Sequence, residues 1–172
     1  QDNTEEHVVE ISKLPVANKP KIERWPRGAK PDLATALRAN SPRLTMLSLG
    51  GQKLGDDGVS KLAKALLVNS TLKTLLLAKN CFGAKGAFKL AKALLVNSTL
   101  TSLDVKRNDI PAHGASELAK ALTVNSALTS LDLMHNKIGA TGASDIAKAL
   151  LVNSTLTTLN LGYNEIGTVG AS

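Results

Sequence analysis

The string LAKALLVNSTL occupies residues 62–72 and returns unchanged at residues 90–100. Two close copies follow, LAKALTVNSAL at residues 118–128 and IAKALLVNSTL at residues 146–156, so each copy starts 28 residues after the previous one. A constant period of this length is typical of repeat arrays, in which one small supersecondary unit is stacked many times. The sequence therefore predicts an array.

The repeated unit combines two hydrophobic periods. In its first half, LTSLDLMHNKI (residues 128–138), Leu131 and Leu133 alternate around Asp132, which predicts a half-buried strand. Apolar residues at helical spacing follow and predict a helix whose inner face carries Ala143, Ile146, Ala147 and Leu150. We predict that Asn153 ends this helix in the left-handed conformation. One such unit cannot bury its own apolar face, so its neighbours must complete the core.

Aligned on their first leucine, the units read Leu-x-x-Leu-x-apolar-x-x-Asn-x-apolar and start at Leu44, Leu72, Leu100, Leu128 and Leu156. This pattern resembles the leucine-rich-repeat family over about residues 33–172. The unit length and the Gly- and Ala-rich helix are most similar to the ribonuclease-inhibitor-like subclass, which includes the repeats of NOD-like receptors and of Ran GTPase-activating protein. The resemblance implies an α/β leucine-rich-repeat solenoid, a right-handed β–α horseshoe arc with a parallel sheet on the concave face and helices on the convex face.

The pattern divides the chain into three parts. Residues 1–31 do not follow the repeat, contain four of the six prolines, and are expected to form an N-terminal arm or cap anchored on the first unit by Trp25. Residues 32–43 match the helix half of a unit and form a degenerate half repeat. Residues 44–172 comprise four full repeats and a fifth that stops before its helix. Because open sheet edges are a liability, we expect further repeats or a partner to cover the last one.

The composition excludes several classes of function. The formal charge is +7, aromatic residues make up 2 % of the chain, and no block of five like charges occurs. A specific nucleic-acid surface, which needs stacking rings and dense positive charge, is therefore not expected. Cys81 has no partner for a disulfide or a zinc site and is expected to be buried. No apolar run is long enough to span a bilayer, which leaves peripheral attachment to a membrane open. We expect no metal and no cofactor.

Two columns of asparagines recur with the period. One stands where the strand bends into the loop, at Asn80, Asn108, Asn136 and Asn164. An inward asparagine at such a bend can bond loop amides and carbonyls that burial would leave unsatisfied, which predicts an asparagine ladder. The first unit has Gln52 instead, and its longer side chain is expected to alter the first rung.

The other asparagine column follows each helix. Asn69, Asn97 and Asn153 match the Asn-x-Ser/Thr acceptor of N-glycosylation, but Asn125 is followed by Ser126 and Ala127 and does not. Because that copy keeps the turn and loses the motif, we favour a structural role for the column. The chain also lacks cysteine-rich end caps, so an intracellular location, cytoplasmic or organellar, is favoured over secretion.

Candidate partner-binding residues follow from the alternation of the strands. Asp104 and Asp132 occupy outward strand positions, and the positions just after the strands carry Lys79, Lys106, Arg107, His135 and Tyr163. Acidic and basic columns side by side suit recognition of a mixed-charge protein surface, and Tyr and Arg are enriched in binding hot spots. The family resemblance also implies that a partner is most often recognised on the concave face.

A lysine column runs along the helices, at Lys64, Lys92, Lys120 and Lys148. Lys120 and Lys148 each follow an acidic residue by three positions, which predicts helical ion pairs. The first two lysines follow other lysines and leave a modestly basic patch, which we interpret as a solvated outer face.

The sequence contains no recognisable catalytic motif. His7, His113 and His135 have no Ser, Cys or Asp partner at motif spacing, and no phosphate-binding glycine loop is present. We therefore predict a non-enzymatic protein–protein interaction or scaffold module, acting alone or within a multi-subunit complex, that uses the concave face, the arm or both. Two alternatives stay open: a structural subunit of a large ciliary, cytoskeletal or organellar assembly, and a GTPase activator of the Ran type. For the latter, Arg107 is the nearest analogue of the catalytic arginine that the resemblance implies, although the rest of that loop pattern is missing.

Overall fold

The strands form one parallel sheet in chain order. The computed structural model describes residues 22–24 and 33–167. Within these ranges the strands are β1 (Ile22–Arg24), β2 (Met46–Ser48), β3 (Thr74–Leu76), β4 (Ser102–Asp104), β5 (Ser130–Asp132) and β6 (Thr158–Asn160). From β2 onward the register follows the repeat, so the central leucines lie opposite one another in a single row: Leu47, Leu75, Leu103, Leu131 and Leu159. The predicted α/β repeat solenoid is confirmed.

A helix follows each of the first five strands. The helices are α1 (Leu33–Arg38), α2 (Gly55–Leu66), α3 (Ala84–Leu94), α4 (Ala112–Leu122) and α5 (Gly139–Leu150), and each packs on the next. Parallel strands lie about 4.8 Å apart, whereas packed helices need about 8–10 Å between their axes. Stacking therefore spreads the helices on the outer side and leaves the strands on the inner, concave side.

Each strand faces the core through its central leucine. In β2 to β5 the middle residue is buried and its two neighbours are half-buried, as expected for a sheet covered on one face. The helices cover that face with leucine and alanine, for example Leu90 and Leu94 in α3. The predicted burial of Cys81 is wrong. Cys81 is exposed, because the fully buried Phe82 takes the apolar position of this unit.

The sheet has one more strand, β1, before the first strand of the repeat pattern. β1 lies within the segment expected to be a non-repeat arm, and it pairs in parallel with β2. Ile22 precedes its partner Met46 by 24 residues instead of 28, so β1 and α1 form a shortened strand–helix unit. The remainder of the predicted arm, with its proposed anchor Trp25, lies outside the described residues.

The last described helix, α5, packs against α4 on one side and against no helix on the other within the described residues. Leu150, which we expected in the core, is 36 % exposed, because no later helix packs on α5 within the described residues. Its equivalents in the preceding helices are fully buried: Leu66, Leu94 and Leu122. Leu159 and Leu161 of the final strand region are partly buried against the core.

The asparagine after each helix acts through its side chain. The predicted left-handed conformation of Asn153 is wrong, because its φ is not positive. Asn97 instead donates from Nδ2 to the carbonyl oxygens of Leu66 (2.8 Å) and Asn69 (2.9 Å). The carbonyl of Leu66 belongs to the last turn of α2, where backbone acceptors lack helical partners, so the turn of one unit satisfies the helix end of the unit before it.

The same contacts recur along this column. Asn125 bonds the carbonyl of Leu94 at 2.7 Å, and Asn153 bonds that of Leu122 at 2.7 Å. Asn69 and Asn97 are buried with Nδ2 already engaged, so a glycan could not be attached there in the folded chain. The column is therefore structural.

Candidate functional site

The loops that carry the candidate binding residues rest on the asparagine ladder. Asn108 donates from Nδ2 to the carbonyl oxygens of Leu77 (3.1 Å) and Val105 (2.9 Å), and its Oδ1 accepts the amide of Asn80 at 2.8 Å. These bonds span two neighbouring units. The ladder residues are all buried: Asn80, Asn108, Asn136 and Asn164. Because their polar atoms are paired inside the protein, the loop backbones are held in one geometry.

The ladder begins at Asn80. The side chain of Gln52 turns back within its own unit, with Nε2 at 3.4 Å from the carbonyl oxygen of Gly50. Asn80 reaches across instead and donates to the carbonyl oxygen of Leu49 at 2.9 Å. Gln52 therefore makes no bond of the ladder type, and Asn80 of the next unit bonds the loop of the first unit in its place.

Three charged side chains meet on the concave face and form what we call the ionic cluster: Asp104, Lys106 and Asp132. The ammonium of Lys106 lies 3.3 Å from Asp104 Oδ2 and 3.9 Å from Asp132 Oδ2. The Asp104 side chain is 16 % exposed. Its burial raises the pKa of the carboxyl above the ordinary value, although the amide and ammonium of Lys106 favour the charged form and oppose the shift. Lys106 thus links two units through side chains.

The two aspartates also stabilise the local backbone. Asp104 accepts the amide of Lys106 through Oδ1 at 2.9 Å, and Asp132 accepts the amide of Met134 at 3.0 Å. Asn160 does the same for Gly162 at 3.0 Å. Such side-chain-to-backbone turns are typical of Asp and Asn. Part of each aspartate's acceptor capacity is therefore used by the fold, and the second oxygen faces Lys106.

The positions after the strands form a row of unusual backbone conformation, which we call the left-handed column: Lys79, Arg107, His135 and Tyr163. Their φ angles lie between 54° and 56°, a region that non-glycine residues rarely occupy. The amide of Arg107 donates to Met134 at 2.8 Å, and that of His135 donates to Gly162 at 2.9 Å. The parallel ladder therefore continues into this column and projects one side chain per unit.

Two members of the column make direct contact. The rings of His135 and Tyr163 are stacked, with centroids 4.3 Å apart and planes inclined by 4°. Tyr163 is 75 % exposed, and His135 is exposed as well. We call this pair the aromatic stack. Arg107 precedes it by one unit in the same column, and Lys79 by two. The structure thus groups the seven candidate residues into two sets, the ionic cluster and the left-handed column.

The described residues lack several kinds of functional site. In ranges 22–24 and 33–167, no group of three or more His, Cys, Asp or Glu side chains is arranged to hold a metal ion. Over the same part of the chain, none of the helices has the length and apolar character needed to cross a bilayer.

Sequence reasoning missed one positioning contact. Asp56 in the first turn of α2 accepts the amides of Gly83 (3.0 Å) and Gly86 (2.7 Å) through Oδ1, and so caps the start of α3 from the neighbouring unit. The sequence contained a signal for this contact, because the equivalent positions in the next three units are alanine: Ala84, Ala112 and Ala140. The aromatic stack could likewise have been predicted, since His135 and Tyr163 are separated by one period.

Comparison with known proteins identifies the class. A family profile described as Leucine Rich repeat matches residues 68–91, 96–119, 124–147 and 152–172, together more than half of the chain. The chain therefore belongs to the leucine-rich-repeat family, and the resemblance stated from its sequence is confirmed. A search of curated proteins finds no significant match.

Two solved structures share the fold. The leiomodin-1 actin-binding site 2 is 27 % identical, with a TM-score of 0.71, over 74 % of this chain and 76 % of that one. The tropomodulin C-terminal domain of Caenorhabditis elegans is 16 % identical, with a TM-score of 0.69, over 75 % of this chain and 80 % of that one. The second likeness concerns the fold alone. The family match and the likeness to the leiomodin-1 structure support a protein-interaction module.

Proposed function

We propose that this chain is a non-enzymatic interaction or scaffold module whose concave face binds a partner protein. The observation that carries the proposal is the aromatic stack beside the ionic cluster. Tyr163 presents a large ring to solvent, and this ring stacks on the ring of His135. A rigid, exposed aromatic group loses little conformational freedom on binding, which is why such residues are enriched in binding hot spots.

The left-handed column adds independent support. The first unit has Gly51 at this position, where a positive φ carries no steric cost. Later units place Lys79, Arg107, His135 and Tyr163 there, although each non-glycine residue is disfavoured in this conformation. The core positions of the repeat stay apolar from unit to unit, whereas this column carries a different side chain in each of these four units, which favours a role in recognition over one in stacking.

The ionic cluster suits a partner of mixed charge. Lys106 lies between two carboxylates, and the exposed guanidinium of Arg107 follows it directly. Complementary charges contribute more to orientation and specificity than to affinity. We therefore propose that the aromatic stack contributes most of the affinity and that the ionic cluster orients the partner on the concave face.

The test is affinity capture with lysine crosslinking from native material. We expect the variant carrying His135→Ala and Tyr163→Ala to lose the captured partner by roughly tenfold or more, as hot-spot truncations do. A matched control carries His113→Ala and Thr141→Ala, which remove exposed side chains from α4 and α5. Crosslinks should come from Lys79 and Lys106. Unchanged capture by the stack variant, with crosslinks mainly from Lys13, Lys19 and Lys21, would move the binding site to the N-terminal arm.

Actin is the first defined partner to test. The similarity to the leiomodin-1 actin-binding site 2 favours it, and it agrees with the alternative of a structural subunit in a cytoskeletal assembly. Co-sedimentation with actin filaments and native electrophoresis with monomeric actin cover both forms of actin. Binding that the stack variant abolishes and the control retains would identify actin as a ligand of the concave face. If the parent chain, the stack variant and the control all bind actin equally, or none binds it, actin is not a ligand of the concave face.

A further inference from the structure

Exposed apolar side chains line one edge of the array. The turn after each of the helices α2 to α5 places a Leu-Val or Thr-Val pair in solvent, and we call the apolar members the apolar edge: Leu67, Val68, Leu95, Val96, Val124, Leu151 and Val152. Leu67 and Leu95 of internal units are 48 % and 49 % exposed, and Leu151 is 84 % exposed. Scattered apolar residues on a surface are ordinary, but exposed apolar residues that recur at the same turn of four consecutive units are a candidate interaction site.

The fold does not require this row. Thr123 stands where other units have leucine, yet its turn keeps the same backbone bonds, with the amide of Val124 at 3.2 Å from the carbonyl oxygen of Ala121. The equivalent distance in the unit of Leu95 is also 3.2 Å, from Val96 to Ala93. The buried asparagines and leucines hold the turn. Leucine at the outer position is therefore not explained by folding.

The positive charge of the chain concentrates at the same edge. The five turn segments, residues 36–45, 64–73, 92–101, 120–129 and 148–157, contain no Asp or Glu and hold seven basic residues: Arg38, Arg43, Lys64, Lys73, Lys92, Lys120 and Lys148. The other fourteen Lys and Arg are balanced by the fourteen Asp and Glu. The net charge of +7 thus equals the charge of these turns.

The helix lysines of the edge differ in whether an acidic residue precedes them by one turn. Lys120 and Lys148 form ion pairs with Glu117 (2.7 Å) and Asp145 (3.1 Å) one turn earlier in their helices. In the preceding units Lys64 and Lys92 follow Lys61 and Lys89 at the same spacing, with no carboxylate there. In α2 and α3, Lys64 and Lys92 therefore lie next to an exposed Leu-Val pair and have no acidic residue one turn earlier.

We propose that the apolar edge and its basic residues dock the array on the surface of an anionic phospholipid bilayer. All strands run parallel, so every helix-to-strand turn lies on the same edge, and equivalent residues follow one row along it. An extended flat surface can contact such a row in several units at once. The leucines and valines enter the boundary between headgroups and acyl chains, while the lysines contact the lipid phosphates.

A bilayer fits this edge better than a protein groove does. The turn segments offer apolar groups and positive charge and contain no acidic residue of their own, and this is the combination that interfacial membrane binding uses. A protein partner that covered it would need an acidic surface with its own apolar row. This surface is separate from the concave face, so both can be occupied together.

Vesicle flotation tests the proposal. The full chain is mixed with vesicles of phosphatidylcholine, with or without phosphatidylserine, and the bound fraction is measured at low and high salt. We expect binding to the phosphatidylserine vesicles that weakens as salt screens the lysines. Vesicles of phosphatidylcholine alone should retain little protein.

Two edge variants separate the contributions. The charge variant carries Lys64→Gln, Lys73→Thr and Lys92→Gln, and the apolar variant carries Leu67→Thr, Leu95→Thr and Leu151→Thr, which copies the residue already present at Thr123. A control removes the same charge from the opposite edge through Lys53→Gln, Lys85→Gln and Lys137→Gln. We expect the charge variant to bind at least about tenfold more weakly, since each basic residue near an anionic surface contributes roughly fivefold.

The outcomes are distinct. Loss of flotation in both edge variants, with binding kept by the control and unchanged circular dichroism in all four proteins, supports the proposal. Absence of flotation in the parent chain overturns it, as does equal loss in the control, which would indicate a nonspecific effect of net charge. If the apolar variant loses a captured protein and the parent chain does not float, the edge is a protein contact and the proposal is wrong.

Discussion

At the scale of single residues, paired asparagine columns hold the array together. One column closes the turns after the helices, and the other forms the ladder at the opposite ends of the strands. Each side chain satisfies backbone groups of two units that burial removes from water. Asparagine suits this role because its short amide offers both donors and acceptors. The exception at Gln52 shows that a longer amide turns back on its own unit.

Removal of a ladder residue should therefore be costly. Asn108→Ala leaves the buried amide of Asn80 without its acceptor, whereas the carbonyls of Leu77 and Val105 keep the bonds from Asn80 and Asn136. We expect a loss of roughly 2 kcal/mol in the free energy of unfolding, since an unsatisfied buried group costs about 1–3 kcal/mol. Urea unfolding followed by circular dichroism measures it. Gln52→Ala is the matched control in the same column and should change stability by less than about 0.5 kcal/mol. Similar losses in both would contradict the ladder's role.

At the scale of elements, glycines allow the helices to begin in contact with their neighbours. A Cβ at Gly142 would lie 2.6 Å from Ile138 Cγ2, 3.0 Å from Ala115 Cβ and 3.2 Å from Ala112 Cα. The last two atoms belong to α4, so the packing of α5 on α4 depends on the absence of that side chain. Gly86 similarly leaves room for the Asp56 carboxylate that caps α3.

Gly142→Ala therefore tests helix packing against helix propensity. Propensity alone would stabilise the helix by about 0.5–1 kcal/mol. We expect instead a net loss of roughly 1–3 kcal/mol, because the added methyl overpacks the contacts with Ile138 and with α4. The midpoint and slope of urea unfolding give the change. Thr141→Ala, at the exposed neighbouring position, should be neutral or slightly stabilising; a stabilised Gly142→Ala protein would show that α5 can shift without cost.

At the scale of the whole molecule, stability depends on the contacts between neighbouring units. The buried leucines of one unit pack on equivalents above and below, and each helix contacts the next. Stability in such an array is approximately a sum of unit and interface terms. The half-exposed Leu150 of α5, compared with the buried Leu122 of α4, shows what one missing interface changes.

A whole unit should be removable without loss of the fold. Deletion of residues 100–127 joins Thr99 to Leu128 in phase, so Asn80 can meet Asn136 in place of Asn108. We expect cooperative unfolding with a smaller dependence on urea, because less surface is buried. Deletion of residues 100–113 removes half a period and serves as the control. It should abolish cooperative unfolding, and a folded control would disprove the unit-by-unit account.

The candidate site was only partly predictable from the sequence. The period placed Asp104 beside Asp132 and His135 beside Tyr163, because equivalent residues of adjacent units must be neighbours. It did not predict that the rings would be parallel at 4.3 Å, or that Lys106 would lie between two carboxylates. Those contacts depend on rotamers and on burial, which emerge when the units pack.

By itself the sequence determined the unit, its strand and helix, the parallel order and the core leucines, because these follow from apolar positions that recur with one constant period. Tertiary structure decided that Asn153 acts through its side chain, that Cys81 faces solvent beside buried Phe82, and that Ile22–Arg24 extend the sheet. The physical reason is the same in each case. A residue's period shows which face it occupies, whereas the groups contributed by the next unit decide what it bonds and whether water reaches it.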